Sequence, residues 1–191
     1  MPGELLSWER GILDTSGGSS NAAMRIKSLR TDRWINGDCR LASTGGAAMQ
    51  GSDPAIDIMG FEWGANRTGS QASSQAHRAH PEPLIVYRIP DRATPVLTSL
   101  MSTGDELTVI VQLYKQGVGS GASDSNMFGW LTVQVGYAVV RKQDVKLAPG
   151  KILPVEILEL SYQSVDISYR PQLDSGLPGA VSNCIIHFAH S

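Results

Sequence analysis

Apolar residues fall on alternate positions in two long stretches of this chain. Leu107, Val109, Val111 and Leu113 form the first, and Leu131, Val133, Val135, Tyr137 and Val139 the second. Alternation of period two gives a strand one apolar face, and that face must be buried. The stretches predict strands over Glu106–Lys115 and Trp130–Arg141, joined by a Gly/Ser hairpin loop, Gln116–Gly129. The same reading predicts strands at Met24–Ile35, Ala55–Trp63, Leu84–Arg88, Leu153–Tyr169 and Val181–Phe188. The chain is therefore mainly β.

Two of these strands carry irregularities. In Ala55–Trp63 the apolar phase moves at Gly60, from Ile56 and Ile58 to Phe61 and Trp63, which reads as a bulge. In Leu153–Tyr169 it moves twice, from Val155 and Ile157 to Leu158, Leu160 and Tyr162, then to Val165, Ile167 and Tyr169. Such slips imply bends of the kind that curve a sheet into a barrel. One segment has helical spacing instead. Asp91–Met101 has Val96, Leu97, Leu100 and Met101 as an apolar stripe, Thr94 as cap, Pro95 in the first turn and Gly104 as terminator.

The remaining segments are loops. Asn36-Gly37-Asp38 is a turn, Arg40–Ser52 is rich in Gly, Ala and Ser, and Gly64–Pro81 is long and polar. Residues 1–23 read as an N-terminal extension, because Thr15–Ser20 has linker composition. Residues 24–191 then form a single domain, and a chain of 191 residues is long enough to bury a full core.

Charged residues make up only 18% of the chain, which suits a loop-rich β protein or one with large subunit interfaces. Net charge is −2 and no basic stripe exists, so nucleic-acid binding has no electrostatic support. Met1–Asp14 holds Glu4, Glu9 and Arg10 and no long apolar run, so no signal peptide and no membrane insertion are expected. Cys39 and Cys184 are far apart and share no spacing motif; reduced thiols are the default, and a bond between them stays open.

No constellation for chemistry emerges. His77 and His80, and His187 and His190, are spaced by three, but a metal needs convergent ligands and residues three apart on a strand face opposite ways. Gly119-Ser120-Gly121 lacks the flanks of a nucleophile elbow and the Gly-Lys of a phosphate loop. Glu156 and Glu159 fall on opposite faces of a strand and read as edge charges or interface contacts. Trp63 and Trp130 allow a monomeric carbohydrate- or small-ligand-binding β-sandwich, although packing is the simpler role for both. The expectation is a protein that is not an enzyme and uses no cofactor or metal.

The ordered landmarks resemble one family. Ala55-Ile-Asp-Ile-Met-Gly-Phe-Glu-Trp-Gly64 is similar to its Trp-Ile-Glu-Val-x-Ser-Phe-x-Trp-Gly element. Asp91-Arg-Ala-Thr-Pro95 resembles its Asp-Lys-Ala-Ser-Pro lead-in to a helix. Glu156-Ile-Leu-Glu-Leu-Ser-Tyr-Gln-Ser-Val-Asp-Ile-Ser-Tyr169, followed by Arg170-Pro-Gln-Leu-Asp-Ser-Gly176, resembles its late strand and Pro-Gln-x-x-Asp-Gly turn. The family is Hcp, the hemolysin-coregulated protein of the type VI secretion inner tube.

The resemblance implies a compact β-barrel of two antiparallel sheets with one α-helix alongside. It implies hexameric rings that stack into a tube, effector proteins in the lumen, and sheath, spike and baseplate proteins as partners. It implies a cytoplasmic protein secreted without a signal peptide. A tail-tube subunit of a phage-like contractile particle is the neighbouring reading. For a ring subunit, the loops Gly64–Pro81 and Gln116–Gly129 are expected to reach adjacent subunits or rings. Asn66, Arg67, Gln71, Gln75, His77, Ser123, Asp124, Met127 and Trp130 are the contact candidates.

Overall fold

A computed structural model of the protein describes residues 21–39, 55–67, 79–116, 127–147 and 149–188. In chain order the elements are β1 (Ala22–Ser28), β2 (Arg33–Trp34), β3 (Ile56–Asp57), β4 (Gly60–Glu62), β5 (Ala65–Arg67), β6 (Ala79–Pro81) and β7 (Leu84–Arg88). Helix α1 (Thr94–Thr103) follows, then β8 (Leu107–Gln116), β9 (Met127–Lys146), β10 (Val155–Ser161), β11 (Ser164–Tyr169) and β12 (Ser182–His187). The predicted first strand is thus two. β1 and β2 fold back on each other, Lys27 opposite Trp34, through a turn in which Asp32 takes a positive φ of 56°. There Asp32 reaches the Lys27 ammonium at 2.5 Å.

Two antiparallel sheets share β9. In the first, β1 has β2 and β3 along one edge and β8 along the other, and the order continues through β9 and β11 to β12. In the second, β9 is followed by β10, β7 and β4. A strand that serves both sheets must bend, and β9 bends at extra residues. Its pairing steps from Leu131↔Leu113 to Gly129↔Tyr114, from Val135↔Val109 to Ala138↔Leu107, and from Lys142↔Glu159 to Val140↔Leu160. The expected alternation therefore ends at Tyr137. That residue has φ 51° and is exposed, and Ala138 and Val140, not Tyr137 and Val139, carry the buried face onward. A bulge adds twist as well as a residue, which is why the long strand can turn from one sheet into the other.

On the opposite side the chain itself steps between sheets. Ile58 donates its N–H to Ala22 O (3.5 Å) in the first sheet, and Met59 donates to Tyr87 O (2.7 Å) in the second. The phase change near Gly60 is this crossing, not a bulge within one strand. The barrel is consequently bridged by covalent chain on both sides without being closed by hydrogen bonds.

Met24, Ile26, Ile56, Ile58, Leu84, Val86, Leu107, Val109, Val111, Val135, Leu158 and Leu160 fill the space between the sheets. Helix α1 covers one opening. Leu97 is fully buried, and Leu100 and Met101 pack on the core, while Val96 is exposed rather than part of the stripe. The helix begins later than its apolar pattern suggests. Ala93 is the N-cap and Thr94 does not cap by its side chain. Instead Asp91 Oδ1 accepts from Ala93 N–H (2.7 Å), and Asp91 N–H donates to Thr94 Oγ1 (3.2 Å). Gly104 ends the helix at φ 66°, a left-handed conformation that glycine adopts without a Cβ clash.

Candidate functional site

The late strand divides at Gln163, and its inward face starts differently from the expectation. Glu156, not Ile157, points inward, ahead of Leu158, Leu160 and Tyr162. Glu156 is fully buried opposite Arg88, which is also fully buried. Arg88 donates Nε–H to Glu156 Oε2 (2.7 Å), with a second guanidinium nitrogen on the same oxygen (2.7 Å). It also reaches Asp91 Oδ1 (2.9 Å) and Thr94 Oγ1 (2.8 Å). Thr94 donates its hydroxyl proton to Glu156 Oε2 (2.8 Å). Gln143 Nε2 donates to Glu156 Oε1 and to Thr94 O, the latter at 3.2 Å. This knot ties β7, β9 and β10 to the first turn of α1. Glu156 is thus an internal anchor, contrary to its reading as an edge or interface charge, and it has no free face for catalysis.

The contact candidates separate into three groups. Gln71, Gln75, His77, Ser123 and Asp124 lie outside the described residues. Arg67 and Met127 are placed by backbone only, at the end of β5 and the start of β9. Asn66 and Trp130 are described in full. Asn66 sits in a two-stranded stem, opposite His80, so the ends of the Gly64–Pro81 loop pair with each other. Its Nδ2 donates to Glu82 Oε1 (3.3 Å), and Glu82 N–H donates to Gly64 O (2.9 Å). A Cβ at Gly64 would come 2.5 Å from Glu82 Oε2, so a larger residue there would push the Glu82 carboxylate aside.

Trp130 is the extra residue at the first bulge of β9. Lys115 Nζ lies 4.2 Å from its ring centroid, and Tyr169 packs edge-on at 6.1 Å. Its carbonyl accepts from Arg170 N–H (2.8 Å). Trp63 packs against the core. Both indoles are half-buried. Among the described residues no three of His, Cys, Asp and Glu converge on a point. Cys184 is a free thiol, and Cys39 Sγ–H donates to Asp57 Oδ1 (2.8 Å).

Two buried phenols brace these regions. Tyr162 donates to Gly64 O (3.4 Å) at the foot of the stem and stacks edge-on with Phe188. Burial pushes its pKa up to about 12, assisted by the charge of Glu82. Tyr114 donates to Gln112 Oε1 (2.8 Å), and burial takes it to about 12 as well, against the pull of Arg25. Because the folded values exceed the ordinary 10.0, the unfolded chain loses these protons first. Stability from these two groups should therefore be intact below pH 10 and decline as pH rises towards 12. Phenolate absorbance during alkaline titration, with circular dichroism on the same samples, checks this. Ionisation of all tyrosines near pH 10 in folded protein would refute it.

The edges of the first sheet are its most exposed backbone. Among the described residues β12 pairs with β11 alone, and Ser182, Asn183, Cys184, Ile185 and His187 are exposed along it. It has no Lys and no Pro, the residues that usually guard an open edge. At the far side of the same sheet, among the described residues, only the short strands β2 and β3 flank β1. Residues 25–169 match the family described as "Type VI secretion system effector, Hcp". The chain belongs to the Hcp family. Hcp proteins are structural tube proteins of the type VI secretion system, not a family of enzymes.

Solved Hcp structures share this fold. One crystal structure of an Hcp protein superposes with a TM-score of 0.63 at 11% identity, covering 89% of this chain and 98% of the other. The secreted protein Hcp3 from Pseudomonas aeruginosa gives 0.56 at 15% identity, covering 88% and 99%. A type VI effector from Yersinia pestis gives 0.57 at 16% identity, covering 86% and 98%. No curated protein matches the chain. Within this Hcp fold, Asp91-Arg-Ala-Thr-Pro95 is the segment held by Arg88 and Glu156, which gives the motif a physical role: it fixes where the helix starts.

Proposed function

We propose that this Hcp chain is the ring subunit of a type VI inner tube, assembling as hexamers that stack and carry effector proteins in the lumen. The observation that carries the reading is the unguarded edge of β12. A six-residue edge strand without Lys, Arg, Asp, Glu or Pro is a pairing surface, and a heterologous edge-to-edge contact repeated around an axis closes into a ring. The outward face of the same sheet supports it. By register that face holds Thr108, Gln112, Thr132, Gln134, Ser164 and Ser168 together with Ile110 and the charged Arg25, Lys27 and Asp166, a mostly polar wall suited to line a channel.

In this reading the protein leaves the cytoplasm as part of the tube, with sheath, spike and baseplate proteins as partners. The stems of 64–81 and 116–129 direct their loops to adjacent subunits or rings. Residues 1–23 are an extension to a single domain of residues 24–191. Negative-stain electron microscopy with light scattering tests the proposal. Six-fold rings with an open centre, at about six times the 20.5 kDa chain mass, are expected. A species that stays monomeric at all concentrations and binds oligosaccharide through Trp63 or Trp130 would overturn it.

A further inference from the structure

Two apolar surfaces remain uncovered, at opposite ends of β9. Where β9 leads into β10, Val145, Leu147, Ile152 and Leu153 are exposed, Ile152 at 94%. The isoleucine stands beside an exposed leucine on a turn with Pro149 and Gly150, the latter at φ 78°, and is covered by none of the described residues. The other surface follows β11, whose Tyr169 pairs with Leu131 near the start of β9. Here Tyr169, Leu173, Leu177 and Val181 are exposed.

The second surface is pre-built. Leu173 N–H donates to Leu177 O (2.9 Å), Gly176 N–H to Leu173 O (2.8 Å) and Gly179 N–H to Pro171 O (2.7 Å). Gln172 Nε2 donates to Gly176 O (3.0 Å), and Gln172 also bridges Pro178 through backbone. Leucines held on so constrained a turn need little further ordering to bind. Grouped exposed apolar side chains of this kind mark contact surfaces.

Charge says which surface meets which. Lys146 and Lys151 flank the Ile152 tip, and Asp144 is shared between Lys142 and Lys146. The Leu173 turn carries an exposed Asp174 at its crest, with Arg170 half-buried at its base. The tip is basic, and the crest of the seat is acidic.

We propose that the Ile152–Leu153 tip of one copy seats on the Leu173–Leu177 surface of a second copy, with Lys151 facing Asp174. The two surfaces are unlike and lie at opposite ends of one strand. A contact between them is heterologous and does not close, so it propagates copy upon copy. It rests on the ring-subunit reading and supplies the axial contact between rings, distinct from the lateral contact at β12.

The test uses the full chain. The double variant Ile152→Glu, Leu153→Glu should keep rings of wild-type mass and six-fold appearance but lose end-to-end stacks. Leu173→Glu should do the same, with at least about a tenfold fall in the association constant between rings. Lys151→Glu and Asp174→Lys should each shorten the stacks, and combining them should restore length. Stacks of wild-type length in the Ile152/Leu153 variant would overturn this contact. Wild-type rings without stacking at any concentration would overturn it too, and leave the ring reading standing. Wild-type protein that forms no rings would overturn the ring reading, and the axial contact with it.

Discussion

Replacing Glu156 by alanine should destabilise the fold by about 3–5 kcal/mol, because it strands the fully buried Arg88 guanidinium without its carboxylate. For a domain of this size that is a fall in Tm on the order of 10 °C. The loss extends beyond the ion pair. Thr94 and Gln143 lose the acceptor that holds the first turn of α1 against β9 and β10. Urea unfolding followed by far-ultraviolet circular dichroism measures the effect. Arg88→Met combined with Glu156→Leu should recover the part of the loss that comes from the stranded charge but not the part from Thr94, Gln143 and Asp91, which still lack their Arg88 or Glu156 partners. A single Glu156→Ala variant within 1 kcal/mol of wild type would show that water reaches Arg88 and that the knot is not the anchor described here.

Glu156 also shows where the amino-acid sequence is easy to read and where it is not. The alternation Leu107, Val109, Val111 is visible because each apolar residue sits where the sheet needs one. Glu156 breaks the same pattern in β10 because a charge is assumed to face water. Its partner, Arg88, is 68 residues away in sequence, and nothing local signals the pairing. One buried carboxylate therefore reads as a phase slip that the backbone does not contain. The error at Tyr137 has the opposite origin. A real bulge is invisible there, because an aromatic on the expected phase hides it. The same tertiary pull moves the helix start: Arg88 draws Asp91 into the turn before Thr94. The contact candidates were legible only as loop positions. Asn66 and Trp130 are fixed by Glu82, Lys115 and Tyr169, contacts that depend on strand pairing rather than on neighbours in sequence.

The lateral contact makes the sharpest demand on the ring reading, and register identifies the residue that tests it. Phe188 N–H donates to Gln163 O (2.8 Å), so hydrogen-bonded pairs alternate from there along β11 and β12. Ile186, Cys184 and Ser182 then turn their backbone groups towards β11, while His187, Ile185 and Asn183 turn theirs outward. Ile185→Pro should remove one outward donor and block a neighbouring strand while leaving the β11 ladder intact, since proline is tolerated where the N–H of an edge strand faces solvent. The expected result is a monomer with a wild-type circular dichroism spectrum and little change in unfolding midpoint, and loss of rings in light scattering and negative stain. Ile186→Pro, one residue on, should instead break a ladder bond and lower stability, because proline cannot donate within a paired strand. That contrast separates an assembly defect from a folding defect. Rings that survive Ile185→Pro would move the lateral interface away from β12, leaving the short β2–β3 side, the outer edge of β4 and the β5–β6 stem as the other backbone edges among the described residues.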